Sequence, residues 1–139
     1  MIAQLVAGGA LVAVALVVAG VLRRRRPAGP TQAASFELPV QLDPADVDSP
    51  LERTLVLFSA SDCDSCAGVR SLALAATGPD VGFLEVEYRS RPDLHRRYRV
   101  EAVPMLLVVD REGVVRQGAI GPQTEAGVRQ LVTRSFTDA

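Results

Sequence analysis

The feature that most constrains the fold is an apolar segment that leads directly into a pair of cysteines. Residues 54–60, TLVLFSA, form a continuous apolar run, which predicts a strand buried on both faces of a mostly parallel sheet. Cys63 and Cys66 follow, and residues 65–77 predict a helix that ends at Gly78. The two cysteines are therefore expected where a buried strand passes into a helix, within an α/β pattern.

The rest of the chain predicts further strands and helices in a regular order. They are a strand at 81–88, a helix at 92–100, two hairpin strands at 104–110 and 113–120, and a final helix at 124–136. The segment 36–50 contains three prolines, which favours extended structure with turns over helix. The order strand, helix, strand, helix, hairpin, helix predicts an α/β fold with parallel and antiparallel pairing in one sheet.

The first part of the chain differs in kind from the rest. Residues 2–22 are almost continuously apolar, and as a helix they would extend about 30 Å, enough to cross a bilayer's hydrocarbon core. Four arginines, Arg23–Arg26, follow this run and no basic residue precedes it, which favours an uncleaved anchor over a cleaved signal peptide. We therefore expect a transmembrane anchor at 1–22, a basic flank and linker at 23–35, and one folded domain at 36–139.

The distribution of charge bears on orientation and on partners. Arginines on one side of the apolar run predict, by the positive-inside rule, that the domain faces the cytoplasm as part of a single-pass membrane protein. Residues 27–139 contain eleven arginines and sixteen acidic residues, a formal charge near −5. This balance argues against nucleic acid as a partner, since nucleic-acid-binding domains are usually basic.

The spacing of the cysteines suits a redox couple. A helix N-terminus stabilises a thiolate, so Cys63 is the expected nucleophile and Cys66, one turn further on, the resolving thiol. A structural zinc site normally needs four Cys or His ligands, and with no other cysteine and a single histidine, His95, one chain cannot supply it. Because His95 lies among arginines on an amphipathic helix, we predict that it is a solvated surface residue, and that the run 89–99 forms a solvated face.

The succession of motifs across about residues 52–136 resembles the thioredoxin superfamily. The motifs are the strand LVLF, the turn SASD-CDSC and the segment VEAVPMLLVVDREGVV. FELP ahead of the domain and the VVDREG hairpin are similar to those of the membrane-anchored thioredoxin-like disulfide reductases of the TlpA and MauD type. The resemblance implies a thioredoxin-like fold, a mixed central sheet flanked by helices, preceded here by one transmembrane helix. It also implies an activity that needs no cofactor, since the cysteine pair carries the two electrons.

The resemblance implies roles for residues outside the cysteine pair. Pro104 would follow a cis peptide bond and face the cysteines across a groove, Val103 would offer its backbone to an extended substrate, and Gly121 would leave room beside the groove. The family's buried acid and a nearby lysine correspond here to Leu57 and Glu85. The usual acid–base helper of the resolving thiol is therefore missing, and Glu85 is a candidate replacement.

The residues next to Cys63 depart from the thioredoxin pattern. Asp62 replaces the usual tryptophan, and Asp64-Ser65 replaces Gly-Pro. Negative charge close to a thiol disfavours its ionised form. We therefore predict a Cys63 less acidic than in a strongly oxidising relative, and a reducing couple.

These observations together predict a membrane-anchored thiol–disulfide oxidoreductase. It would reduce a disulfide-containing client protein, with an electron donor that the sequence does not identify. The alternative is a non-catalytic membrane-tethered binding module or redox sensor with the same fold. The side of the membrane is also open, because the resemblance favours the extracytoplasmic face whereas the arginine cluster favours the cytoplasm.

Overall fold

The computed structural model describes residues 36–137 of the chain. The anchor predicted at 1–22 and the linker predicted at 23–35 lie outside the described residues. Between residues 36 and 137, no helix has the length and apolar character needed to cross a membrane.

The described part of the chain folds in the predicted succession of strands and helices. The elements are α1 (Pro44–Val47), β1 (Arg53–Ser59), α2 (Cys66–Ala75), β2 (Val81–Glu87), α3 (Pro92–Arg97), β3 (Met105–Asp110), β4 (Val115–Ile120) and α4 (Glu125–Thr137). From β1 onward this order confirms the prediction made from the apolar pattern.

The short helix α1 was not predicted, and the expectation of extended structure throughout 36–50 is wrong there. The side chain of Asp43 accepts a hydrogen bond from the backbone N–H of Ala45, 2.9 Å away, and so caps the helix. Pro44 occupies the first helical position, where its missing N–H costs nothing. The Asp-Pro pair therefore begins a helical turn instead of excluding one.

The four strands form one mixed sheet in the order β2-β1-β3-β4. β1 pairs with β2 in parallel, and both the β1–β3 and β3–β4 pairs are antiparallel. Every residue of β1 is buried, as the continuous apolar run predicts for a central strand.

Alternate residues of β1 supply the core on the two faces of the sheet. Leu55 and Leu57 pack beneath α2 and α4, whereas Val56 and Phe58 pack against α1 and α3. The sheet is therefore covered by helices on both faces, which requires β1 to be apolar at every core position.

Helix α3 places His95 inside the molecule. The ring is only 4% exposed, and its Nε2–H donates a hydrogen bond to the backbone carbonyl of Val86 at 2.8 Å. The rings of Phe58 and Tyr88 each meet it edge-on, with centroids 5.2 Å away. The prediction of a solvated His95 is wrong, because the buried face of this short helix extends to it. The arginines of the run 89–99 are exposed, as predicted.

A charged cluster ties α1 to α3. The carboxylate of Asp46 accepts hydrogen bonds from the hydroxyl of Tyr98 and from Nη1 of Arg97, the latter at 2.7 Å. The Tyr98 hydroxyl in turn accepts one from the N–H of Asp43 at 2.9 Å. The hydrogen bond from Tyr98, joined by that from Arg97 and opposed by desolvation, holds the pKa of Asp46 below its ordinary value of 3.8.

This cluster should make stability depend on pH in acid. Because the pKa of Asp46 is lower in the folded than in the unfolded protein, its contribution is present above the unfolded value and is lost as the pH falls through the folded one. We predict that Asp46→Asn lowers the free energy of unfolding at neutral pH, and that its difference from the wild type shrinks below about pH 4. Urea denaturation across pH measures this, with Asp80→Asn, at an exposed loop carboxylate, as the control. A difference that stayed constant into acid would contradict it.

Candidate active site

The ends of the four strands bring the predicted site residues to one edge of the sheet. Ser59 and Glu87 are partners at the ends of β1 and β2, and Met105 at the start of β3 lies between Phe58 and Ile120. The segments after β1, β2 and β4 and before β3 therefore emerge at the same edge. In α/β proteins the carboxyl ends of parallel strands form the usual ligand-binding edge.

The two cysteines form a disulfide at the start of α2. The sulfurs are 2.16 Å apart and the Cα atoms 5.5 Å apart. The backbone N–H of Cys63 donates to Ala60 at 3.2 Å, and that of Cys66 donates to Cys63 at 3.3 Å, so two successive turns carry the chain from β1 into the helix. Cys66 is 5% exposed and Cys63 is half-buried, which makes Cys63 the more accessible sulfur.

Ser65 contacts the accessible sulfur. It occupies the N-cap position of α2, but its side chain makes no capping hydrogen bond. Its hydroxyl lies 3.8 Å from Sγ of Cys63, and because a disulfide sulfur has no hydrogen, the hydroxyl is the donor. After reduction the same hydroxyl can donate to a thiolate and favour it. Asp62 and Asp64 are exposed, so water and salt weaken their opposing effect.

Pro104 and Gly121 are in direct contact at this edge. The Val103–Pro104 peptide bond is cis, as the resemblance implies, and the carbonyl of Pro104 accepts a hydrogen bond from the N–H of Gly121 at 2.8 Å. Gly121 has φ +89°, and a Cβ there would meet no atom within 4 Å. Glycine is therefore favoured by its backbone conformation, and the space beside it is open. Val103 is half-buried and shares a small cavity with Ala60, directly before the cysteine turn.

Glu85 lies one strand away from the cysteine turn and is already hydrogen-bonded at both carboxylate oxygens. Oε1 accepts from the hydroxyl of Ser59 at 2.7 Å, and Oε2 accepts from Nε of Arg70 at 2.7 Å and from its Nη2. To take a proton from Cys66, Glu85 would have to give up one of these donors. Leu57, its partner across β1 and β2, is fully buried and offers no acid.

Glu87 is a site residue that the sequence did not indicate. Its Oε1 accepts from the N–H of Ser61 at 3.2 Å, and its Oε2 from the N–H of Ser90 at 3.0 Å. Desolvation opposes ionisation, but hydrogen bonds from the backbone of Arg89 and Ser90 hold the pKa of Glu87 below its ordinary value. The carboxylate thus ties the turn before Cys63 to the end of β2. The sequence gives one indication of this role, which is that Glu87 lies at the end of the predicted strand that pairs with β1.

Comparison with solved structures identifies the fold. A mutant thioredoxin from Halobacterium salinarum matches with a TM-score of 0.55 and 22% identity, over 65% of this chain and 80% of that one. The oxidized form of mitochondrial thioredoxin 3 from Saccharomyces cerevisiae matches with a TM-score of 0.52 and 20% identity, over 63% and 84%. StoA from Bacillus subtilis matches with a TM-score of 0.50 and 14% identity, over 69% and 95%. The chain therefore has a thioredoxin-like fold, which confirms the predicted fold class for residues 36–137.

Sequence comparison adds no closer assignment. No protein-family model matches this chain, and no curated protein sequence matches it significantly. The structural likeness, at 22% identity or less, identifies the fold alone.

The two thiols should differ in reactivity once the disulfide is reduced. We predict that iodoacetamide in limiting amount alkylates Cys63 several-fold faster than Cys66, because Cys66 is buried at the first turn of α2. Fragmentation of the peptide that contains both cysteines, by tandem mass spectrometry, locates the label on Cys63 or Cys66 and so measures both rates. Labelling in denaturant is the control, since there the two rates should converge. Faster labelling of Cys66 in the folded protein would contradict the assignment of Cys63 as the accessible thiol.

Proposed function

We propose that this protein is a thiol–disulfide oxidoreductase that reduces disulfides of client proteins. The observation that carries the proposal is the Cys63–Cys66 disulfide at the strand-to-helix turn of a thioredoxin-like fold, with one sulfur accessible and the other buried. Cys66 lies three residues after Cys63, at the first residue of α2, so it can serve as the thiol that resolves a mixed disulfide formed by Cys63.

The reaction is a pair of disulfide exchanges. The thiolate of Cys63 attacks one sulfur of the client disulfide, so that a Cys63–client bond forms while the client's own S–S bond breaks and the released sulfur takes a proton. The thiolate of Cys66 then attacks Cys63, the Cys63–Cys66 bond forms, and the second client thiol leaves. Two electrons pass to the client without a cofactor. A separate dithiol donor must then reduce the protein again.

The remaining predicted site residues would position the client. Val103 would offer its backbone to an extended client segment, Pro104 would hold that backbone in place beside the disulfide, and Gly121 would leave room for it. The Gly121–Pro104 hydrogen bond and the open space at Gly121 support this arrangement. Glu85 remains a candidate acid–base helper for Cys66, provided that it releases one of its present donors.

A test must separate catalysis from mere oxidation of the cysteines. We predict that the wild type, with dithiothreitol as donor, reduces insulin disulfides faster than dithiothreitol alone. Cys63→Ser should abolish this acceleration, whereas Cys66→Ser should abolish turnover but accumulate a mixed disulfide visible on a non-reducing gel. A binding module or redox sensor would show reversible oxidation without acceleration, and that result would overturn the proposal. A reduction potential at or below about −250 mV is expected, and one above about −150 mV would indicate an oxidant.

We propose further that the protein is a membrane-anchored reductase of the TlpA and MauD type. Residues 2–22 would be the single anchor, and the arginines at 23–26 support a domain that faces the cytoplasm. The extracytoplasmic face is the alternative, which the resemblance favours.

Cys63 provides a way to determine orientation. A membrane-impermeant maleimide should label reduced Cys63 only after the cells are lysed if the domain is cytoplasmic. Labelling in intact cells would place the domain outside. A Cys63→Ser variant is the control for background, and recovery of the protein in the soluble fraction after lysis would contradict the anchor itself.

A further inference from the structure

A small cavity opens beside the cysteine turn. It has a volume of about 150 Å³ and lies between Ala60 and Val103 on one side and Tyr88 and His95 on the other, with the segment 100–102 completing its wall. A cavity of roughly this volume accommodates one benzene ring. Apolar and aromatic side chains provide most of the lining, and the exposed residue Glu101 of that segment is also part of it. An occupant must therefore present an apolar body.

His95 is the buried polar group in this wall. Because a backbone carbonyl can only accept, the 2.8 Å contact with Val86 requires that Nε2 carries the hydrogen. In the neutral ring the other nitrogen, Nδ1, is then a hydrogen-bond acceptor. The edge-on contacts with Phe58 and Tyr88 hold the ring in this orientation.

The acceptor Nδ1 is the unused polar atom of this side chain. It has no hydrogen-bond partner among residues 36–137, although in this part of the chain every fully buried side-chain nitrogen or oxygen has one. Nδ1 therefore retains some exposure, and His95 is one of the residues that line this cavity. His95 is thus a nine-tenths buried polar side chain with one acceptor that no residue of this part of the chain uses.

The cavity is placed where a client would pass. Ala60 accepts the backbone hydrogen bond of Cys63, and Val103 precedes the cis peptide bond. A client segment that extends from Cys63 past Val103 would therefore cross the mouth of the cavity within a few residues of its reacting cysteine. Neighbouring side chains of an extended segment point to opposite faces, so only one or two of them can enter.

We propose that this cavity is a subsite for one tyrosine side chain of the client, and that Nδ1 of His95 selects it by accepting its hydroxyl hydrogen. This inference rests on the proposed function. Tyrosine combines one aromatic ring, which the volume accommodates, with a donor at its tip. Phenylalanine fills the same space but leaves Nδ1 without a partner. A lysine could pair its charge with Glu101, but it lacks the ring that the volume accommodates.

Matched peptides test the inference. Each probe is a disulfide-linked dimer of a short synthetic peptide with one cysteine. Tyrosine is placed in turn at each of the two residues before the cysteine and each of the two residues after it. Every tyrosine peptide has a phenylalanine twin and a lysine twin. The rate constant for reduction by the reduced full-length protein is measured for each peptide. We expect tyrosine to be preferred over phenylalanine roughly three- to tenfold at one position, the value of one hydrogen bond.

Variants of His95 connect the preference to the acceptor. His95→Phe should abolish the preference for tyrosine, and His95→Gln, which keeps an N–H for Val86 but moves the acceptor, should reduce it. Tyr98→Phe is the matched control, because Tyr98 follows the same helix but its hydroxyl contacts Asp46. It should leave the ratio unchanged. A general loss of stability would slow both twins alike and leave the ratio as it was.

The possible results separate this inference from the proposed function. Equal rates for tyrosine and phenylalanine at every position would overturn the subsite while leaving the oxidoreductase standing. A preference that survives in both His95 variants would overturn the role of Nδ1, and a faster lysine peptide would overturn the choice of occupant. No reduction of any peptide would overturn the proposed function, and the subsite with it.

Discussion

The pairing of β1 with two neighbours is the constraint on which the rest of the structure depends. β1 is buried throughout and pairs with β2 on one side and β3 on the other. Its register decides which residues face α2 and which face α3, and a slip of one residue would exchange Leu57 and Phe58 between the two cores. The same register sets the cysteine turn beside the ends of β2 and β4 and the start of β3. The geometry of the site is thus a consequence of sheet pairing, and the cysteine motif by itself would not supply it.

Much of this arrangement follows from local sequence signals. The run 54–60 predicts a strand buried on both faces, and two strand-like runs joined through Arg111-Glu112-Gly113 predict the hairpin at 104–120. These signals are informative because side chains on one face recur every two residues in a strand and about every 3.6 residues in a helix. The spacing of the two cysteines and the apolar strand before them were sufficient to predict that they lie where the strand passes into a helix.

The errors arise where residue type and position disagree. His95 is titratable and has arginines as neighbours, but the face of α3 that it occupies packs on the sheet, and a carbonyl at the end of β2 satisfies its N–H. Glu87 and Ser65 gain their roles from partners that only the folded chain brings near. No periodicity encodes such contacts, because they depend on where neighbouring loops end. The cis bond before Pro104 was predicted from the resemblance alone, because no local sequence rule indicates it.

The electrostatics of the site differ from those that its fold suggests. Leu57, where the resemblance to thioredoxins implies a buried acid, is apolar and fully buried, and Glu85 on the neighbouring strand already accepts from Ser59 and Arg70. The polar groups near the accessible sulfur are therefore the exposed Asp62 and Asp64 and the hydroxyl of Ser65, which donates to it. Exposed charges are screened, whereas a hydrogen bond at the sulfur is not. The Ser65 hydroxyl is therefore the contact through which a substitution would most directly alter the chemistry of Cys63.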